Sequence, residues 1–205
     1  MEWFILVVVL FISLILWGWN AQKKHTERLK QALLKEAESY VKKIFDAKAL
    51  DLTPTNIIIK EDEIAFLECN STLLETRSVR YYESGRVGLR VAKRLYVGSS
   101  SGTSHSQEEL KHIDAGTLTL TNKRLVFTGL TNSRNIPISK LIAVNYFMDS
   151  IKVTTETRQK SLVFTVPNSL IWTFAIKIVA SVPDPLNLTI TEEDYKMSYD
   201  YFKSF

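Results

Sequence analysis

Residues 3–19 read Trp-Phe-Ile-Leu-Val-Val-Val-Leu-Phe-Ile-Ser-Leu-Ile-Leu-Trp-Gly-Trp, and none carries a formal charge. As a helix this run spans ~26 Å at ~1.5 Å per residue, close to the ~30 Å of a hydrocarbon core. Trp3, Trp17 and Trp19 stand at its ends, where indole rings favour the headgroup layer. A cleaved signal would begin with basic residues and end in small ones. Here the start is Met1-Glu2, and bulky Trp19 lies where a small residue would precede Ala21. The run Val7-Val8-Val9 and the tryptophans at both ends suit a buried globular helix poorly. A retained anchor over residues 1–20 is therefore expected. Lys23, Lys24, Arg28 and Lys30 follow it at once, against Glu2 alone on the other flank. The positive-inside tendency then places residues 20–205 on the cytoplasmic side of a single-pass protein. The same cations can hold anionic headgroups, at about 1 kcal/mol each near the surface. Asn70-Ser71-Thr72 and Asn187-Leu188-Thr189 match the glycosylation acceptor pattern, but such triplets arise often by chance.

The 205 residues leave room for one further domain of about 120–150 residues, enough to bury a core. A single cysteine, Cys69, excludes an internal disulfide framework and suits a reducing compartment. The net charge of +4 is mild and concentrated near the anchor. It argues for a membrane surface and against nucleic acid, since no aromatic residues interleave with basic ones as in a single-strand binding platform.

Residues 21–52 read as an amphipathic stalk helix. Leu29, Leu33, Ala37, Tyr40, Ile44 and Ala47 fall on one face. That face can pack on the protein's own domain or form a short coiled coil that makes a homo-oligomer. Thr53-Pro54-Thr55 is expected to end the helix. Beyond it the pattern becomes strand-like: Ile57-Ile58-Ile59, then 63–69, then a hairpin over 78–98 turning at Glu83-Ser84-Gly85-Arg86. Residues 99–107, Ser/Gly-rich, read as a loop. Two strands over 116–129 meet at Asn122-Lys123, with Leu118, Leu120, Leu125 and Phe127 facing inward. Runs at 135–147, 150–157 and 160–167 continue the meander. An apolar helix over 168–183 then begins at Asn168 as N-cap, stops before Pro183 and carries one charge, Lys177.

The run Gly-Thr-Leu-Thr-Leu-Thr-Asn-Lys-Arg-Leu-Val-Phe at 116–127, with Ile-Pro-Ile-Ser-Lys-Leu at 136–141, resembles the GRAM and bacterial PH-like domain family. The resemblance covers roughly residues 57–182. It implies an α+β fold: a seven-stranded, two-sheet antiparallel β-barrel capped by the C-terminal helix, here over residues 53–183. In that family Lys123-Arg124 is the strand-turn pair, and the arginine there holds a backbone carbonyl or a carboxylate. The anchor and the tail, residues 184–205, lie outside the resemblance.

Three histidines, His25, His105 and His112, with one cysteine offer no zinc-ligand pattern. Ser99–Ser101 with Gly102 is neither a nucleophile elbow nor a P-loop. No cofactor is expected, and the chain does not read as an enzyme. Two groups of residues suggest binding instead. Arg80, Arg90, Lys93 and Arg94 cluster with only Glu83 against them, and guanidinium forks suit phosphate oxygens. Such charges also serve simply to keep a sheet edge from aggregating. In the tail, Thr191 with Asp194 resembles a capping box, and Tyr195, Tyr199 and Phe202 recur at helical spacing. That stripe suits either the protein's own domain or a partner's groove. The sequence thus points to a non-enzymatic, membrane-anchored binding module that recruits a protein or reads lipid headgroups. The alternative is a structural subunit of a membrane complex, self-associating through 29–47.

Overall fold

A computed structural model describes residues 2–92, 95–157, 160–182 and 184–188; for residues 2, 4–16, 79–92 and 95–107 it describes the backbone only. Helix α1, Glu2–Ala47, is unbroken from the apolar run into the stalk. It ends where Lys48 adopts a left-handed φ of 52°, six residues before Pro54, so the proline does not terminate it. Among the described residues no helix is long and apolar enough to cross a membrane, and the side chains of 4–16 lie outside that set. Trp3, Trp17 and Trp19 are exposed, as are Lys23 and Lys24.

The domain is α+β. Seven strands follow α1: β1 (Ala65–Ala92), β2 (Leu95–Thr121), β3 (Arg124–Gly129), β4 (Ser133–Pro137), β5 (Leu141–Tyr146), β6 (Ser150–Thr155) and β7 (Leu162–Thr165). They form one antiparallel sheet in the order β4-β3-β2-β1-β7-β6-β5. Helix α2, Ser169–Ser181, is the last regular element among the described residues. The expected two-sheet barrel is corrected in one respect: β4 and β5 are both edges, no ladder joins them, and the sheet stays open. It does curl, since Arg134, Ile136 and Pro137 of β4 line one cavity of about 260 Å³ with Thr155 and Leu162. Ile138–Lys140, a 3-10 turn, links the two edge strands along the chain.

Period-two alternation explains why the sheet has an inside. Leu118 and Leu120 on β2 and Leu125 and Phe127 on β3 are fully buried, as their spacing predicts. They meet Phe66, Phe164 and Trp172 in one core, with the Phe127 and Phe164 rings 5.7 Å apart. The strands change hand at Thr121 and Arg124, so Asn122-Lys123 is the turn, as expected.

The first hairpin differs from expectation. Residues 83–86 pair as strand with 100–103, and 99–107 are strand backbone, not loop. The two strands meet between Ala92 and Leu95 instead. From Thr76 to Ala92, β1 has only β2 beside it, because β7 covers no more than Leu73–Glu75. Continuous alternation across Gly85 lets the ladder run through a residue that also favours turns. Ile57–Ile59 is not a strand, and Ile58 and Ile59 are exposed.

The stalk's apolar stripe is used within the chain. Ala37 and Val41 are buried against Leu170 of α2, and Ile44 enters the main core. Over 37–44 the seam considered for self-association is thus covered by the protein's own domain. Asn168 fixes this packing with both ends of its amide. Its oxygen caps α2 by accepting from Leu170 N (3.2 Å) and Ile171 N (3.4 Å). Its nitrogen donates to Leu33 O and Glu36 Oε2, each at 3.0 Å. The hydroxyl of Ser169 also donates to Phe147 O, tying α2 to the turn between β5 and β6.

Candidate functional site

An open sheet has two edges, and here they differ. Edge strand β4 ends in Pro137, which has no N–H to donate, and its Arg134 donates to Glu75 Oε1 at 2.9 Å. Proline and charge are ordinary ways of blunting an edge. Edge strand β5 carries neither. It pairs with β6 alone, leaving one side of its backbone without a strand partner. A register irregularity between Leu141 and Ala143 re-aims Ile142, which is 63 % exposed.

Alongside this free edge runs α2. Together they line a groove of about 280 Å³, with Leu141, Ile142 and Val144 on one wall and Ile176, Lys177 and Ala180 on the other. Ile176 is its buried floor. Ala180 keeps the helix side low, and Lys177, the helix's only charge, supplies one amine at the rim. Burial of its stem lowers the lysine pKa. An exposed backbone edge beside an apolar trough with one cation can hold an extended peptide: main-chain hydrogen bonds provide affinity, and the trough selects side chains. Sequence reasoning noted Lys177 as a lone charge on an apolar helix. That charge was the available signal for a helix with one face left open.

The residues singled out from sequence fall elsewhere. Arg80 and Arg90 lie on one strand, opposite Ser106 and Tyr96. The expected turn between them does not exist, and ten strand residues separate them by ~33 Å. Their side chains lie outside the described part of the structure. Lys93, Arg94, Tyr195, Tyr199 and Phe202 lie outside the described residues. Lys123-Arg124 has the anticipated structural role. Arg124 holds Glu63 through Nε–Oε1 at 2.7 Å and Nη2–Oε2 at 2.9 Å, and donates to Ile58 O at 2.9 Å. Lys123 Nζ donates to Glu61 O at 2.6 Å. Cys69 is half-buried, and burial pushes its thiol up to about 12, with Glu68 adding to the shift. It is an unreactive packing residue.

Comparison of the chain with family models, with curated proteins and with solved structures finds no match.

Proposed function

We propose that this chain is a membrane-anchored, PH/GRAM-like binding module without enzymatic activity, its domain on the cytoplasmic side. It recruits a protein partner by taking an extended segment along β5, against α2. The observation that carries this reading is the contrast between the two sheet edges: β4 is blunted, whereas β5 stays open beside an apolar groove. The anchor is supported by the uncharged run, its flanking tryptophans and the lysines that follow. The family reading is supported by the Gly116–Phe127 motif lying across β2 and β3 with its Asn-Lys at the turn, and by a helix after seven antiparallel strands. A segment with an apolar residue for the Ile176 floor fits the groove best.

The test is site-specific photo-crosslinking in native membranes. A crosslinker at position 142 or 180 should capture the same partner, and one at Asn135 on β4 should not. Ala180→Trp, which fills the groove, should cut capture from position 142 by at least tenfold. Equal capture from both edges, unaffected by Ala180→Trp, would remove the basis for this assignment.

A further inference from the structure

A second groove, of about 470 Å³, opens between α1 and the turn from β5 to β6. Leu29, Ala32, Leu33 and Glu36 form its α1 side, and Met148 and Asp149 its turn side. It is apolar for a free surface: Leu29 is 47 %, Met148 37 % and neighbouring Phe147 50 % exposed. It is also acidic. Among the described residues neither Glu36 nor Asp149 makes an ion pair; Glu36 accepts from the Asn168 amide instead. An occupant must therefore bring apolar side chains flanked by cations, along a surface that runs with a helix.

Helix α1 itself has that composition. Arg28 and Lys35 stand seven residues apart, ~10.5 Å along the axis. Both are exposed, and neither makes an ion pair among the described residues. They lie on one flank of the line through Leu29, Ala32 and Glu36. The domain packs on the other flank, through Leu33, Ala37 and Val41. Written as heptads, Leu29 and Glu36 fall at a, Ala32 at d, Leu33 at e, and Arg28 and Lys35 at g. When two such helices lie parallel about a two-fold axis, the g flank of each faces the e flank of the other. The e flank is the side of the domain, and so of Asp149. The two-fold operation thus sets Arg28 and Lys35 of each copy against Asp149 and Glu36 of the other. Small Ala32 at the seam lets the helices approach. Further up, Ala37, Val41 and Ile44 are already covered by the domain, so only this lower part of the stalk is open to a second chain.

We propose that a second copy of this chain fills the groove, the two α1 helices lying parallel over residues 28–36 with Arg28 of each copy beside Asp149 of the other. The contact face follows from the residues above, whereas the parallel alignment rests on the proposed anchor at 3–19, which starts both helices from one bilayer. Use of the β5 edge is not required.

Disulfide crosslinking of the full chain in native membranes tests it. Leu29→Cys and Ala32→Cys should each oxidise to a covalent dimer at least tenfold faster than Gln31→Cys on the far side of α1, with the unsubstituted chain giving the Cys69 background. Arg28→Glu and Asp149→Arg, each placed singly beside Ala32→Cys, should slow that crosslink at least fivefold by bringing like charges together. Co-expressing these two chains should restore it as a mixed dimer. Seam positions no faster than Gln31→Cys would overturn the proposal, and so would co-expression that restores nothing. Alkaline extraction of the same membranes separates the two premises. Chain that stays in the pellet yet fails to crosslink overturns the dimer alone; chain that washes out overturns the anchor and with it the parallel alignment.

Discussion

Strand β3 is held at each end by a carboxylate, and the two ends are built differently. At its start Glu63, with a fully buried side chain, meets the Arg124 guanidinium and also accepts from Thr121 Oγ1 (2.7 Å) and Lys60 N (2.9 Å). At its finish Asp114 meets no cation. It accepts from Thr131 N (2.7 Å), Asn132 N (2.6 Å), Thr131 Oγ1 (3.0 Å) and Ala115 N (2.9 Å), and so shapes the turn into β4. Burial works to raise the Glu63 carboxyl, but its hydrogen bonds from Arg124, Lys60 and Thr121 outweigh that and hold it at about 2. The Asp114 carboxyl is also held at about 2, chiefly by the Thr131 and Asn132 amides. One end is secured by a buried charge pair and the other by backbone dipoles. A charge pair fails badly when halved, because the remaining charge has no solvent. An amide cage degrades more gently, because its donors sit near water.

Halving the pair should have the largest effect. Arg124→Met leaves Glu63 buried without its cation and should lower unfolding free energy by about 3 kcal/mol, the low end for such a loss because the arginine is itself partly exposed. Glu63→Gln combined with Arg124→Met keeps the Lys60 N–H bond to the amide oxygen and lets the amide nitrogen donate to Thr121 Oγ1, and should recover at least half of that, as read by urea denaturation of the full chain in micelles. A double variant no better than the single one would mean that shape, not charge, holds this end. Gly129→Ala attacks the other end. A Cβ there would lie 2.5 Å from Asp114 Oδ2 and 2.6 Å from Asn132 O, so the turn must shift. The expected loss is about 1–3 kcal/mol, with faster amide exchange at Thr131 and Asn132. Asp114→Asn should have the smallest effect at neutral pH, since the amide keeps one acceptor for the Thr131 and Asn132 N–H groups. Its signature is a pH profile. Both carboxyls lie below their ordinary 4.5 and 3.8, so each adds stability at higher pH that fades as pH falls from about 4 towards 2. Asp114→Asn should flatten part of that acid slope while changing the neutral-pH midpoint least of the three; an unaltered slope would show that the Asp114 amides do not hold its proton affinity down.

Local features of this fold were legible in the sequence, and pairings over long separations were not. Alternation at Leu118, Leu120, Leu125 and Phe127, the Asn122-Lys123 turn and the Asn168 cap each depend on neighbours within a few residues. The partners of Glu63 and Asn168 lie 61 and 135 residues away, and no local pattern announces them. The first hairpin misled for a related reason. Gly85 and the serines of 99–101 have turn chemistry, yet a strand tolerates them when the opposite strand stays in register. The stalk's apolar face was legible, but whether a second chain or α2 covers it was not. The β5 groove was least legible of all, because an open edge is a property of strand order and not of any single strand.

Helix α1 has no break between Glu2 and Ala47, and Asn168 clamps α2 to it at Leu33 and Glu36. Those residues lie 14 and 17 positions past Trp19, ~21 and ~26 Å along the axis. With residues 3–19 in a bilayer, as proposed, the helix acts as a ruler that sets the domain's standoff. A partner held in the same bilayer must then span that height before its recognised segment begins. At ~3.3 Å per extended residue the spacer is at least about seven or eight residues long, so linker length as well as sequence would decide which neighbours can be captured.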